Sequence, residues 1–264
     1  MGILAKKKRI LITGASRGIG REAALQLARA GHELVLAARD EAALRAVAEQ
    51  CGGAEIAVMD LRDEASVRRA VAALKPVDVL VNNAALSEQG AFLQLSDAAR
   101  REEMEVNYWG ALRITRALLP TLSARRGSVV NVSSLIGTIA SPSTSNYGAS
   151  KAALEAWSVA LRAEHPELTV TIFVAPHTET EMGRRVRFEG VPRLPVDYTA
   201  RGLVRAIDRG SRKVAASPVY NLFLFLWRMF PRFMERQVAR SAPQAFASPA
   251  PSPAASVDAA RSGP

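Results

Sequence analysis

The chain has 264 residues, of which 48% are hydrophobic and 23% are charged, and this balance excludes disorder for most of it. Its single cysteine excludes an internal disulfide and a cysteine-built zinc site, and its three histidines lack metal-ligand spacing, so no metal site is predicted. The excess of 35 basic over 25 acidic residues gives a net charge of +10, and nearly all of it lies between residues 184 and 240, which contain 13 basic and 4 acidic residues.

Strands and helices alternate along the first 175 residues. Short aliphatic runs predict strands at residues 9–12, 33–37, 55–59, 77–81 and 128–132. Helical periodicity predicts helices at about residues 21–30, from 41, after 60, at about 97–106 and at about 110–123. Apolar strands joined through helices are typical of parallel pairing with right-handed crossovers. The chain is therefore predicted to be an α/β protein with a doubly wound parallel sheet in a three-layer α/β/α arrangement.

The pattern changes after Pro176. Residues 177–198 contain two prolines and a basic run and are predicted to be mobile, whereas a helix at about 199–209 and a strand at 213–216 complete the sheet. The sequence predicts three parts: one α/β domain over residues 1–218, an apolar and basic helical extension over 219–240, and a disordered tail rich in alanine, serine and proline over 241–264.

Apolar side chains recur with helical spacing in the predicted extension, at Leu222, Leu226, Met229, Phe230 and Phe233. Three interpretations stay open: burial against the domain or a partner subunit, a lid over a hydrophobic substrate, and a shallow membrane anchor beside basic residues. The apolar run is too short to span a bilayer, and the N-terminus lacks a signal-peptide pattern. The prediction is a cytoplasmic protein, with peripheral membrane association as the alternative.

A glycine-rich turn follows the first predicted strand. Its pattern, Thr-Gly-x-x-x-Gly-x-Gly over residues 13–20, leads into the first predicted helix. Glycines allow a tight turn and close backbone approach, and a helix N-terminus offers free N–H groups to a pyrophosphate. The turn is therefore predicted to bind a dinucleotide through Gly14, Ser16, Arg17, Gly18, Ile19 and Gly20.

Side chains after the next strands indicate which dinucleotide is bound. An acidic residue after the second strand would repel a 2′-phosphate, but the chain has Arg39 there and Arg17 in the glycine turn, and guanidinium groups bind phosphate. NADP(H) is therefore favoured over NAD(H), although the neighbouring Asp40 would weaken the effect of Arg39. Ligands of such sheets lie beyond the carboxyl ends of the strands, so the adenosine side is predicted to be lined by Asp60, Leu61, Asn83, Ala84 and Ala85.

Tyr147 and Lys151 are four residues apart and share one face of a predicted helix. A free tyrosine has a pKa of about 10, and a neighbouring ammonium and a cationic nicotinamide ring would lower the pKa of Tyr147 towards neutrality. Ser134, at the end of the fifth strand, would hold a substrate oxygen in line with the tyrosine. Together these residues predict proton transfer beside a nicotinamide, whereas the tyrosine and lysine alone would indicate only an amphipathic helix.

Three motifs, in this order, resemble those of the short-chain dehydrogenase/reductase family: the glycine turn, the Asn-Asn-Ala sequence after the fourth strand, and the Tyr-x-x-x-Lys pair. The resemblance covers residues 8–182. It implies a Rossmann-like fold, a nicotinamide cofactor, and assembly as a homodimer or homotetramer. It also implies that Asn107 is a fourth catalytic residue, which holds a water that relays protons from Lys151 to solvent.

The chain departs from the family pattern at two positions. Ala85 replaces a glycine, which is tolerated if its backbone angles are ordinary. His177 replaces the glycine that usually follows the position of Pro176, ahead of a threonine that contacts the nicotinamide carboxamide in the family. Thr180, or else Thr178, is predicted to make that contact, and a structural accommodation of His177 is favoured over a catalytic role.

The resemblance implies an NADP(H)-dependent oxidoreductase that interconverts a carbonyl group and a secondary alcohol on a small hydrophobic molecule, with Tyr147 as acid/base. Two alternatives stay open. In a 3-oxoacyl-[acyl-carrier-protein] reductase, the basic region 184–240 would dock an acidic carrier protein, whereas a cofactor-sensing protein would bind without turnover. The presence of Ser134 with the tyrosine and lysine argues against the sensor. No helix-turn-helix, zinc-finger or stacking motif is found, so nucleic acid is not predicted as a partner.

Overall fold

The computed structural model describes residues 7–90, 93–139, 141–185 and 193–240. Its strands are β1 (Arg9–Thr13), β2 (Glu33–Ala38), β3 (Glu55–Val58), β4 (Val79–Asn82), β5 (Ser128–Ser134), β6 (Thr169–Ala175) and β7 (Lys213–Ala215). A π-helical turn (Glu105–Trp109) joins α4 to α5. The α-helices are α1 (Gly18–Arg29), α2 (Glu41–Gln50), α3 (Glu64–Ala72), α4 (Asp97–Met104), α5 (Gly110–Ala124), α6 (Leu135–Thr138), α7 (Ser145–Glu164), α8 (Glu181–Arg185), α9 (Val196–Arg209), α10 (Pro218–Met229) and α11 (Pro231–Arg240).

The seven strands pair in parallel in one sheet, in the order β3-β2-β1-β4-β5-β6-β7. The order reverses between β1 and β4, because the crossovers carry the chain outwards from β1 in one direction and then in the other. The predicted doubly wound α/β sheet is confirmed. The loops after β1 and β4 diverge at this point, and they open the crevice in which ligands of such sheets bind.

Helices bury both faces of the sheet. On one face, Leu27 of α1 and Leu203 of α9 pack in the same core as Ile12 of β1. On the other face, Ile114 of α5 packs in the same core as Leu11 of β1. Successive residues of a strand point to opposite faces, so the central strand β1 is buried along its whole length. Each such aliphatic side chain contributes about 1.5–3 kcal/mol through burial, and these two layers hold the loop-bearing edge of the sheet in place.

Several element boundaries differ from the predicted ones. Helix α1 begins at Gly18, three residues earlier than predicted, because the glycine turn itself forms the first helical turn. Strand β5 continues to Ser134, since its last residues keep pairing with β6. The two helices predicted over residues 97–123 follow each other without a loop, because the π-helical turn joins α4 directly to α5.

The last elements pack against one edge of the sheet. Strand β7 pairs with β6, and Trp227 of α10 and Met234 of α11 are buried with Leu135. In the segment predicted to be mobile, Thr178 forms a bridge with Leu194, while residues 186–192 lie outside the described residues, as does the predicted tail. No helix among the described residues combines the length and the apolar character that crossing a membrane requires.

Candidate active site

The glycine turn after β1 packs against the loop after β4. Gly14 has φ +67°, and a Cβ atom at this position would lie 2.8 Å from the Cα atom of Ala84. A Cβ atom on Gly20 would overlap the Asn83 side-chain amide, whose Nδ2 atom donates to the carbonyl oxygens of Thr13 and Gly14 at 2.9 and 3.2 Å. The two loops therefore approach each other at distances that only glycine permits.

The first turn of α1 keeps its backbone N–H groups available. Asp40, Asp63 and Ser96 cap the next three helices through their side chains, whereas Arg17, at the N-cap of α1, makes no side-chain cap. The first turn of α1 lies within the described residues, and it contains no acidic residue. Free N–H groups and the positive end of the helix dipole together favour a bound anion. This cradle fits the pyrophosphate of a dinucleotide.

The residues predicted on the adenosine side lie around the ends of β2 and β3. Arg39 is exposed, and the carboxylate of Asp40 beside it accepts a hydrogen bond from the Ala43 backbone nitrogen at 3.0 Å. Hydrogen bonds from Arg62 lower the pKa of Asp60, and Leu61 is buried. Arg17 points elsewhere, because its guanidinium lies 2.6 Å from the carboxylate of Glu181.

Ala84 and Ala85 extend the small-residue surface beyond β4. The backbone nitrogen of Ala84 donates to the hydroxyl of Thr13 at 3.0 Å, which fixes this loop beside the glycine turn. Ala85 is half-buried and has a negative φ angle, so alanine replaces glycine here without backbone strain. Within the described ranges, no group of three His, Cys, Asp or Glu side chains is arranged to hold a metal ion.

Asn107 lies in the π-helical turn and is buried. Its Oδ1 atom accepts from the Leu86 backbone nitrogen at 2.7 Å, and its Nδ2 atom donates to the Leu86 carbonyl at 2.8 Å and to the Ser150 hydroxyl at 2.9 Å. Asn107 thus links the loop after β4 to α7, one residue before Lys151. Such π-turns are frequent at functional sites.

Ser134, Tyr147 and Lys151 come together where β5 meets α7. The Lys151 ammonium donates to the Val132 carbonyl at 2.9 Å and lies 5.8 Å from the centre of the Tyr147 ring. The Ser134 hydroxyl lies close enough to the Tyr147 side chain to influence its pKa, and it accepts from the Ile136 backbone nitrogen at 3.3 Å. The structure therefore brings the predicted triad together at the carboxyl edge of the sheet, on the same edge as the glycine turn.

Burial dominates the electrostatics of this triad. Burial raises the pKa of Tyr147 to about 12, although the nearby side chain of Ser134 acts in the opposite direction. Burial also lowers the pKa of Lys151 to about 8, against the influence of Glu103 and Glu155. In the chain by itself, burial therefore has the largest effect on the pKa of this phenol, and the lowering predicted for the ammonium together with a cationic nicotinamide ring stays a prediction.

Glu103 is an additional residue at this site that the sequence analysis missed. It is fully buried in α4, one turn before Asn107. Its Oε1 atom accepts from the Glu88 backbone nitrogen at 3.0 Å, and its Oε2 atom accepts from the side-chain amide of Asn146. Burial raises the pKa of Glu103. No sequence signal separates Glu103 from its exposed neighbour Glu102, because burial of either residue depends on where α7 packs.

The segment after β6 lies over the glycine turn. The methyl group of Thr180 is 3.4 Å from the position that a Cβ atom would take on Gly18, whereas Thr178 is buried and its hydroxyl donates to the Pro176 carbonyl at 2.9 Å. Thr180 is therefore the threonine that faces the predicted cofactor position. The Nε2 atom of His177 lies 3.0 Å from the Gly183 carbonyl, which is a structural contact within the segment.

Comparisons with known proteins agree with this geometry. A family model described as short chain dehydrogenase matches residues 8–189. The 11-beta-hydroxysteroid dehydrogenase A of Sesamum indicum is 33% identical over an alignment of 260 residues that covers 86% of this chain and 73% of that protein.

Two solved structures share the fold over nearly their whole length. A short chain dehydrogenase from Burkholderia cenocepacia in complex with NADP has a TM-score of 0.80 and 27% identity, over 89% of this chain and 99% of that one. A short-chain dehydrogenase from Sphingobium yanoikuyae in complex with NADPH has a TM-score of 0.75 and 26% identity, over 89% and 98%. Both neighbours were solved with a nicotinamide cofactor.

Proposed function

Since the chain belongs to the short-chain dehydrogenase/reductase family, we propose that it is an NADP(H)-dependent enzyme that interconverts a carbonyl group and a secondary alcohol. One observation carries this proposal: Ser134, Tyr147 and Lys151 come together on the sheet edge that bears the glycine turn, with the Lys151 ammonium 5.8 Å from the centre of the Tyr147 ring. A bound nicotinamide would supply the hydride to the carbonyl carbon, or accept it in the reverse direction.

The protein's own residues would handle the proton. With a pKa of about 12, Tyr147 is protonated near neutral pH and can donate its proton to a carbonyl oxygen. Ser134 would hold that oxygen in line with the phenol, and Lys151 would bind the nicotinamide ribose beside it. Asn107, which ties the loop after β4 to α7, would hold the proton path between Lys151 and solvent. General acid catalysis of this kind contributes roughly 10²–10⁴-fold in rate.

Two exposed guanidinium groups support a preference for NADP(H) over NAD(H). Arg39 follows β2, where the adenosine ribose of a bound dinucleotide would lie, and Asp40 is engaged as the N-cap of α2. Arg17 would have to leave Glu181 to reach a 2′-phosphate. That surface ion pair is worth no more than about 1 kcal/mol, so a phosphate dianion can compete for the guanidinium.

A mostly apolar cavity of about 540 Å³ next to the sequence neighbours of Ser134 and Tyr147 supports a hydrophobic substrate, although neither of these two residues lines it. It lies between α6 and the start of α7 and is lined by Ile136, Gly137, Ser141, Pro142 and Gly148, among others. Its volume is in the range of pockets that bind small molecules, and its lining is mostly apolar. We therefore propose a free hydrophobic ketone or alcohol as the substrate class.

Cofactor consumption over a panel of carbonyl compounds tests this function. Purified enzyme is assayed with NADPH, and in parallel with NADH, against free hydrophobic ketones and against 3-oxoacyl thioesters on an acyl carrier protein. Turnover of free ketones with NADPH is the expected result. Turnover of carrier-bound thioesters alone would instead identify a carrier-protein reductase that docks through the basic region 184–240. Binding of NADPH with no turnover of any compound would favour a cofactor-sensing protein.

We further propose that the enzyme acts in the cytoplasm as a homodimer or homotetramer. The outer face of α7 supports self-association, because it exposes a row of small apolar residues that includes Ala149, Ala152, Ala156 and Val159, with Trp109 exposed on the adjoining π-helical turn. Exposed apolar rows of this kind mark subunit contacts. Light scattering during gel filtration measures the assembly, and a monomer at working concentration would contradict this part of the proposal.

A further inference from the structure

Helix α10 is apolar on two opposite faces. Its inner face, with Phe223, Leu224 and Trp227, packs against the sheet edge beside Leu135. Its outer face is equally apolar but exposed, and the exposed row continues into the start of α11. The members of this outer face are each 37–70% exposed, and they are Val219, Leu222, Phe225, Leu226, Met229, Phe230 and Phe233. A contiguous apolar surface of this size on a folded protein marks an interaction site.

Arginines without acidic partners border this outer face. Arg228, Arg232 and Arg236 are exposed, and among the described residues none of the three forms an ion pair. Between residues 218 and 240 the only acidic residue is Glu235. The surface therefore combines aromatic and aliphatic side chains with uncompensated positive charge, which is the composition of helices that lie in the interface of an anionic membrane.

We propose that α10 and α11 dock the enzyme on an anionic lipid bilayer, with the outer face inserted among the acyl chains and the three arginines at the phosphate level. A second copy of this chain is a less favourable partner for this outer face than a bilayer. A two-fold contact brings each patch against itself, so it would bring the same uncompensated arginines of two copies together. A lid is also disfavoured, because the face of α10 that turns towards the active site already packs on Leu135.

Docking in this orientation links the membrane to the proposed chemistry. Leu135 directly follows Ser134, so the inner face of α10 packs one residue away from the candidate active site. A membrane-bound enzyme would therefore hold its catalytic residues close to the lipid surface, where hydrophobic carbonyl compounds concentrate. The docking itself does not depend on turnover, and it can be measured on the full chain without any substrate.

Co-sedimentation with sucrose-loaded vesicles tests the proposal. The full chain is mixed with vesicles of phosphatidylcholine alone, or with 30% phosphatidylglycerol, and the vesicle partition constant is determined. We expect binding to the anionic vesicles that 0.5 M KCl weakens, because salt screens the arginines. Replacing Arg228, Arg232 and Arg236 by glutamine should weaken binding about 100-fold, at roughly fivefold for each arginine. Replacing Phe225 and Phe233 by serine should abolish vesicle binding.

A charge-matched variant separates this surface from general basicity. Arg29, Arg68 and Arg116 are exposed on other helices, and their replacement by glutamine removes the same net charge. This control should bind like the wild type. Equal loss in both triple variants, or full retention of the wild type in the supernatant, would overturn the proposal. Loss of self-association in the phenylalanine variant, with no vesicle binding by the wild type, would assign the face to a second copy instead.

A separate observation concerns the buried carboxylate of Glu103. The Glu88 backbone and the Asn146 side chain each donate to it, and no basic residue within the described part of the chain forms an ion pair with it. Asn146 directly precedes Tyr147, and its Nδ2 atom also donates to the Arg100 carbonyl at 3.1 Å. A carboxylate that is buried without an ion pair is costly. Its position beside α7 therefore points to a role in the site.

We propose that Glu103 is a positioning residue that holds the start of α7 and whose negative charge sets the pH range in which Tyr147 and Lys151 work. The titratable groups that face it are Glu88 from the loop after β4, and Tyr147 and Lys151 from α7. Its charge raises the pKa of both α7 groups. This inference rests on the proposed function.

The pH profile of turnover distinguishes charge from anchoring. In Glu103→Gln the profile should move to lower pH by about one unit, because the charge that opposes ionisation of Tyr147 and deprotonation of Lys151 is gone. Asn146→Ala removes a contact but no charge, so it should lower kcat without moving the profile. Asp97→Asn, an exposed change on the same helix, should do neither. If the wild type is active and the pH profile of Glu103→Gln coincides with that of the wild type, this inference alone is overturned. If the wild type has no activity, the proposed function is overturned.

Discussion

The buried amine of Lys151 makes the stability of the fold depend on pH. Lys151 is 1% exposed, and burial lowers its pKa from 10.5 to about 8. One pKa unit corresponds to about 1.4 kcal/mol, so the protonated amine destabilises the fold by about 3 kcal/mol below pH 8. The unfolded chain binds this proton more tightly than the fold does. The cost therefore disappears as the pH rises from 8 to 10.5.

Lys151→Met keeps the bulk of the side chain and removes its charge. At pH 7 we expect the variant to be more stable than the wild type by about 1–2 kcal/mol, because the lost hydrogen bond to the Val132 carbonyl offsets part of the gain. Between pH 7 and pH 10 this advantage should shrink by about 2 kcal/mol as the wild-type amine loses its proton. Urea unfolding followed by circular dichroism at pH 7, 8, 9 and 10 measures the difference.

The chosen pH range and a control variant allow the change in stability with pH to be assigned to Lys151. Tyr147, with a pKa of about 12, does not titrate below pH 10. Lys75 is exposed, so Lys75→Met should differ from the wild type by an amount that stays constant with pH. If the difference between Lys151→Met and the wild type is equally constant, burial does not penalise the charged amine, and the reasoning on the site's electrostatics is refuted.

Two further predictions concern the cofactor site. Gly14→Ala should lose about 1–3 kcal/mol more stability than Gly52→Ala, because both positions have positive φ but only Gly14 faces the Ala84 backbone. Gly14→Ala should also weaken NADPH binding. Equal losses of stability in urea unfolding would contradict the close packing of Gly14. Arg39→Glu should raise the KM for NADPH roughly 10–100-fold and change the KM for NADH by less than a few-fold, because a charge-assisted bond to the 2′-phosphate is replaced by repulsion. An unchanged ratio of the two KM values would remove Arg39 from cofactor selection.

The sheet was predictable because its signals are local. The strands are short aliphatic runs with both faces covered, and the glycine turn between β1 and α1 is specified by residues within eight positions. Tyr147 and Lys151 were also predictable, since their spacing places them on one helix face wherever the helix lies. Thr180 needed the structure, because only its distance from Gly18 separates it from Thr178.

The electrostatics of the site were not predictable from the sequence. The direction of the Tyr147 pKa depends on how much water the packed helices exclude, and spacing carries no information on this. The pairing of Arg17 with Glu181 joins residues 164 positions apart. The same holds for Glu103, whose burial follows from the packing of α4 against α7. The partners and the pKa shifts of these charged groups depend on tertiary contacts, which the sequence alone does not show.

Turnover by Tyr147→Phe, measured together with its affinity for NADPH, tests the central claim most directly. The phenylalanine ring keeps the shape of the site and removes only the hydroxyl that would give its proton to the carbonyl oxygen. We expect kcat with the best ketone of the panel to fall at least 10²–10⁴-fold, while the Kd for NADPH from fluorescence titration changes by no more than a few-fold. Full turnover in this variant, with NADPH bound as in the wild type, would show that the proton comes from another group.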